Sequence, residues 1–243
     1  MGMKKLSTIL KGRKHICFID FEGTQFSHEM IAFGACFATL TRNGLVKRHK
    51  EPIRFYVTAK NKVGKIVEEL TGISDYNLKT MGIPFSQALK EIKKYCGLNF
   101  SKCLFATFGT HDFRIFNQSI AYNIDADKDI ASKISKSFFD VQAFLSEYIK
   151  DDHNNCYSLE NYLKLFDIPF EGTVHDPKND AYNLMVLYDT FLKRKDVVLD
   201  EYIKLLGKGN KLPEPVKNVM AKLAKGEDVS YQDFVEMARK ELE

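Results

Sequence analysis

The sequence predicts an α/β domain on a mixed five-stranded sheet, three antiparallel strands then parallel strands, flanked by helices and followed by a C-terminal helical appendage. Three observations predict it. Residues 16–19 (Ile-Cys-Phe-Ile) are apolar without alternation, as a strand buried on both faces is, although so short a run also fits a helix segment. The apolar stretch 30–40 and the loosely alternating stretch 45–57 flank Asn43-Gly44, two residues that tolerate positive φ, and so form a hairpin pattern. Beyond residue 83, strand-like and helix-like stretches alternate, which implies a sheet covered by helices.

Taken in order, the strand at 16–19, with the acids at its end, leads to strands at 30–40 and 45–57, the last with one wet face of Arg and Lys. A basic loop at 60–65 precedes a short helix at 66–70 that Gly72 ends. Ile83-Pro84 then introduces a helix whose apolar Phe85, Ala88, Leu89, Ile92 and Tyr95 are spaced by three and four. Residues 102–108 read as a buried strand, 112–121 as a helix, 122–136 as a variable stretch rich in Asp and Lys, and 137–140 as a short strand. Phe144, Leu145 and Tyr148 begin another helical pattern. Ser158 is a suitable N-cap for the helix carrying Tyr162 and Phe166, which stops before Pro169. A long helix spans 177–193. Domain boundaries follow: 1–198 for the α/β domain and 199–243 for the extension, with a Gly, Lys and Pro linker at 207–215 and a last helix capped by Ser230 and Asp233.

The chain of 243 residues is 44% apolar, enough for a core that folds alone. Its net charge of +4 is too mild for an overall nucleic-acid coat, but the distribution is uneven. Residues 4–14 hold five basic side chains and no acid, and residues 42–65 hold eight against Glu51 alone. Such a first quarter would attract a polyanion, though a solvated lysine-rich surface has the same composition. The five cysteines are irregularly spaced, without a C-x-x-C pair, and read as buried, reduced thiols. No apolar run approaches the roughly 20 residues of a membrane span. The expectation is a cytoplasmic protein with no membrane partner.

The chemistry gathers in three stretches. In Ile19-Asp20-Phe21-Glu22, residues two apart share a strand face, so two carboxylates lie side by side and ask for an offsetting cation. Oxygen donors of this kind suit Mg²⁺ or Mn²⁺. Equally, Asp20 could end the strand and Glu22 could be a solvated loop residue. In Phe108-Gly109-Thr110-His111-Asp112, a strand ends at a glycine and Asp112 opens a helix, as a third carboxylate for the site or as a partner of the helix dipole. In Val174-His175-Asp176-Pro177-Lys178-Asn179-Asp180-Ala181, Asp176 is a natural N-cap and Pro177 a natural N1, which leaves His175 just outside the helix and Asp180 about one turn into it.

Asp20-x-Glu22, Asp112 behind Phe108-Gly109, and His175 with Asp180 five residues on together resemble the DEDDh class of 3′→5′ exonucleases. That class includes RNase T, proofreading subunits and RNA-trimming exonucleases on a ribonuclease-H-like fold. The resemblance covers about residues 13–195 and extends to Leu70-Thr71-Gly72-Ile73. Gly23 stands where the family often has a threonine, and Phe108 where trimming members often have tryptophan. Asp20-Phe21-Glu22-Gly23-Thr24 looks nearer the RNA-trimming branch.

The resemblance implies hydrolysis of a single-stranded RNA or DNA 3′ end, RNA favoured, to nucleoside 5′-monophosphates, with two Mg²⁺ or Mn²⁺ ions per site. Asp20 would bridge the ions, Glu22 and Asp180 would complete the site nearer the attacking water, Asp112 would hold the second ion, and His175 would be the general base. Gly23 and Thr24 would lie beside the terminal nucleotide, and Phe26 and Leu70 would stack on or wedge against its base. Two other readings use the same residues: a proofreading-type subunit whose C-terminal helices dock a polymerase or other protein partner, and a nucleic-acid-binding module without turnover.

Overall fold

The apolar run at 16–19 lies within strand β1 (His15–Gly23), where Ile16, Cys17, Phe18 and Ile19 are at most 1% exposed. The structure is a computed structural model that describes residues 4–207 and 212–240. It divides into two compact units: Met1–Gln142 with Ser158–Lys193, and Ala143–Tyr157 with Arg194–Glu243.

In the first unit, helix α1 (Lys4–Leu10) precedes β1, in a stretch whose sequence reads only as basic. Strand β2 (Met30–Leu40) runs antiparallel to β1, with Asp20 opposite Gly34 and Glu22 opposite Ala32. The expected third strand is two strands, β3 (Val46–His49) and β4 (Ile53–Tyr56), which pair with opposite ends of β2. Pro52 explains the break: it has no N–H for the ladder. With β5 (Leu104–Thr107) and β6 (Phe138–Asp140) the sheet has six strands rather than five, ordered β3-β2-β1-β5-β6, with β4 also on β2. Antiparallel pairing in the first strands and parallel pairing of β1, β5 and β6 match the predicted mixed sheet.

Helix α2 (Lys65–Thr71) ends where Gly72, at φ 71°, returns its N–H to the Glu68 carbonyl. Helix α3 (Asp75–Met81) was not expected; Ser74 and Asn77 open it with reciprocal side-chain to backbone bonds. Helix α4 (Phe85–Cys96) buries the predicted Phe85, Ala88, Leu89 and Ile92. Helix α5 (His111–Tyr122) follows β5, and α6 (Lys128–Ser135), capped by Asp127, occupies the stretch read as irregular. Helix α7 (Val141–Leu145) is shorter than its apolar pattern suggests, α8 (Leu159–Leu165) starts at its Ser158 cap, and α9 (Pro177–Lys193) has the predicted bounds.

The two faces of the sheet are covered differently. Cys17, Ile19 and Phe21 join one core cluster with Phe85, Ile115, Phe116 and Ile130 of α4, α5 and α6. Phe18 points the other way and meets Tyr188 of α9, ring centroids 5.3 Å apart. Each fully buried phenylalanine contributes about 1.5–3 kcal/mol. By strand alternation Asp20 and Glu22 share the face of Phe18, the one that α9 covers.

The second unit holds α10 (Lys195–Gly207), α11 (Glu214–Ala224) and α12 (Tyr231–Lys240), together with residues 143–157 from the middle of the chain. Tyr148 and Tyr202 bring these two stretches together, ring centroids 5.5 Å apart. The linker expected at 207–215 falls partly on 208–211, outside the described residues. Ser230 and Asp233 do cap α12: the Asp233 N–H donates to the Ser230 hydroxyl at 3.2 Å and the Ser230 N–H to the Asp233 carboxylate at 2.8 Å. All five cysteines are free; Cys17, Cys36, Cys96 and Cys103 are buried, whereas Cys156 is exposed. Among the described residues no helix is long and apolar enough to cross a membrane.

Candidate active site

Three elements bring the four predicted acids to one end of the sheet. Asp20 and Glu22 project from β1. Because β5 runs parallel beside β1, the turn after it delivers Asp112, at the start of α5, to the same end. There the Asp112 carboxylate accepts the Phe21 backbone N–H at 2.8 Å. Ligand clefts of open α/β sheets lie at this carboxyl end of the parallel strands.

Asp180 arrives from α9, and a glycine decides how closely. Gly34 sits opposite Asp20, and a Cβ there would lie 1.8 Å from the Pro177 carbonyl oxygen. Only a residue without a side chain lets the helix start rest on the sheet, which carries Asp180 over Asp20. Asp176 caps the helix as expected: its carboxylate accepts the Lys178 N–H at 3.0 Å and its carbonyl accepts the Asp180 N–H at 2.9 Å. Ligand oxygens of Asp20, Glu22 and Asp180 all lie within 4.8 Å of one another.

The electrostatics are unfavourable without a cation. Burial, then Asp112, Asp180 and Glu22, push the Asp20 carboxyl well above the usual carboxylate range. Burial and the same neighbouring acids push Glu22 up to about 8. Asp112 is raised to about 7 by burial, against hydrogen bonds from Phe21 and its own backbone, with Asp140 and Asp180 adding repulsion. Asp180 is raised to about 7 by burial, partly offset by the His175 backbone N–H that bonds it. All donors are oxygens, clustered and starved of positive charge, which is the environment that a hard divalent cation fits.

His175 is one turn of chain from Asp180 and adopts φ 62°, a left-handed conformation that costs a non-glycine residue about 1–2 kcal/mol. Its neighbour Asp176 is tied to Arg54 of β4 by an ion pair of 2.5 Å, and the Arg54 guanidinium lies 5.1 Å from the Tyr56 ring centre. His175, Arg54, Tyr56 and Leu70 line one cavity of about 320 Å³. Of the other predicted contacts, Phe26 is 83% and Leu70 54% exposed. Ile66, one helical turn before Leu70 on α2, is 63% exposed, and its N–H donates to Gln25 Oε1 at 3.2 Å. Gly23 lies at a register shift in β1. Thr24 is buried, and its hydroxyl is engaged by Ser27 at 2.6 Å and by the Glu29 N–H at 2.9 Å, so its side chain closes the turn.

The sequence does not mark Gly34, Arg54 or Asp140 as site residues. Gly34 lies inside an apolar strand, Arg54 in a basic stretch, and Asp140 at the end of a short strand, so none carries a local signal. Asp140 accepts the Gly109 N–H at 3.1 Å, which fixes the turn before Asp112.

The RNase T exonuclease model matches residues 17–188, well over half of the chain and every acid of the cluster. The chain belongs to the RNase T exonuclease family. Its fold is that of solved DEDDh nucleases. The nuclease domain of 3′hExo, a DEDDh member solved with rAMP, superposes with a TM-score of 0.61 at 19% identity, over 74% of this chain and 92% of that one. Cell-death related nuclease 4 matches with a TM-score of 0.58 at 18% identity, over 75% and 64%. E. coli exonuclease I in complex with single-stranded DNA matches with a TM-score of 0.58 at 18% identity, over 80% and 43%, so this exonuclease-family chain spans under half of that protein. No curated protein matches the chain in sequence.

Proposed function

We propose that the protein removes nucleotides from the 3′ end of single-stranded nucleic acid, RNA in preference to DNA, releasing nucleoside 5′-monophosphates. One observation carries this: carboxylates from β1, α5 and α9 converge at the sheet's carboxyl end, three of them with oxygens within 4.8 Å, where burial and mutual repulsion call for cations. Asp20, Glu22, Asp112 and Asp180 would hold two Mg²⁺ or Mn²⁺ ions. Such ions supply Lewis-acid stabilisation of phosphoryl oxygens and make water a better nucleophile near neutral pH.

The chain's own residues do the rest. His175 accepts the proton of the attacking water as its general base. Its position depends on the lip it shares with Asp176, which Arg54 anchors. Phe26 and Leu70 offer apolar surface to the terminal base, and Gly23 lies beside the terminal nucleotide. The preference for RNA is supported by the Asp-Phe-Glu-Gly-Thr run and by the rAMP in the 3′hExo domain.

A 5′-labelled oligonucleotide, as matched single-stranded RNA, single-stranded DNA and duplex, tests the reading with Mn²⁺ or EDTA. RNA should shorten fastest, EDTA should stop it, and Asp180→Asn or His175→Ala should slow it by more than about 100-fold while the protein stays folded. Full activity in Asp180→Asn refutes the metal-site assignment, and full activity in His175→Ala refutes the base.

A further inference from the structure

A second charged feature lies at the other end of the sheet from the acids. A groove of about 880 Å³ is floored by Leu6 and Leu10 of α1 and edged by Arg13, Lys14, Arg42 and Lys47. These cations come from three separate places: the segment entering β1, the turn between β2 and β3, and β3 itself. No acid lines the groove. The ion pairs of the described residues involve none of the four. Lys14, Arg42 and Lys47 are exposed.

Surface lysines usually find carboxylates or spread out, because like charges repel. Four cations around one acid-free groove hold that repulsion unless a polyanion relieves it. β1 links this groove to the acidic cluster. At about 3.3 Å per residue, the steps from His15 to Asp20 and Glu22 separate them by about 16–23 Å. Stacked as in a helix, a strand places a phosphate about every 3.4 Å, so one held at its 3′ end in the acidic site spans this separation with about five to seven nucleotides.

We propose that this groove binds backbone phosphates of the nucleic acid upstream of its 3′ end, as an anchoring site separate from the catalytic cluster. The assignment of the 3′ end to the acidic site rests on the proposed exonuclease function; the phosphate-binding groove does not. It makes the enzyme favour long strands over short ones and confers a steeper salt dependence on them than on a tetranucleotide.

The double charge reversal Arg42→Glu with Lys47→Glu tests this, since both side chains are exposed. With a 5′-fluorescent 40-nucleotide RNA and the full chain carrying Asp180→Asn, the reversal should weaken binding about tenfold or more and lower the slope of log affinity against log salt by about 1.4, at ~0.7 per lost phosphate contact. In the active protein, Mn²⁺-dependent cleavage of a tetranucleotide should be unchanged. Unchanged affinity and slope for the 40-mer would overturn the proposal, as would an equal loss on the tetranucleotide. Reduced binding only to phosphatidylserine vesicles, with the 40-mer unaffected, would overturn it in favour of a membrane surface. If the unreversed protein cuts nothing yet binding of the 40-mer drops on reversal, the groove stands and the exonuclease reading fails.

Discussion

Glu29 and the acidic cluster set the same chemical group in opposite surroundings within one unit. Glu29 is 1% exposed, and its carboxylate accepts the Lys60 N–H at 2.9 Å, the Asn61 N–H at 3.1 Å and the Asn61 side-chain amide at 3.1 Å. Among the described residues no hydrogen bond reaches the carboxylate of Asp20 or Glu22, while Asp112 and Asp180 are bonded through backbone N–H groups. Glu29 is a clamp: it ties the loop at 60–61 to the start of β2 and needs nothing more. Asp20 and Glu22 lack such donors, so each either keeps its proton or needs a cation that the polypeptide does not supply. Burial alone does not mark a functional acid; burial without donors does.

The comparison breaks most severely at Gly34, which belongs to neither group. Gly34→Ala should lower stability by about 3 kcal/mol or more and abolish cleavage, because the added methyl collides with Pro177 and lifts α9 from the sheet. A urea midpoint equal to wild type would show that α9 does not need that contact.

A smaller and sharper test pairs two isosteric changes. Glu29→Gln should cost about 1–3 kcal/mol, since it replaces a carboxylate acceptor opposite three donors. Glu22→Gln in EDTA at pH 8 should instead raise Tm, since it removes a charge held among like charges. Loss of Tm in both would mean that Glu22 is a structural acid like Glu29.

The gentlest test is pH. Glu22 at about 8, and Asp112 and Asp180 at about 7, keep protons in the folded chain that the unfolded chain has already lost. Their contribution to stability is therefore full below about pH 4 and fades as pH rises through 7 to 8. In EDTA the Tm should fall over that window, and Mn²⁺ should raise Tm more at pH 8 than at pH 5. Equal Mn²⁺ stabilisation at both pH values would detach the ion from these carboxylates.

Long elements with strong patterns were legible. The continuous apolar run of β2 and the three-and-four spacing of α9 have the predicted bounds. The split of β3 from β4 was written in Pro52, and α3 in Ser74 and Asn77, but a single proline or a cap with no apolar run behind it is a weak signal. Helix α6 was hidden by its Asp and Lys, although Ile130, Ala131 and Ile134 bury one narrow face. At the site, the acids and His175 could be named because each sits in a distinctive run, whereas Arg54 matters only through Asp176, 122 positions away.

The sequence by itself determined which side chains carry charge, which strands are buried, and that Asp20 and Glu22 share a face, because alternation along a strand is a local property. Tertiary structure alone decided that a missing side chain at Gly34 seats α9, that Glu29 is satisfied while Glu22 is not, and that four cations border an acid-free groove. Those outcomes depend on distances between residues far apart in the chain, which local pattern does not encode.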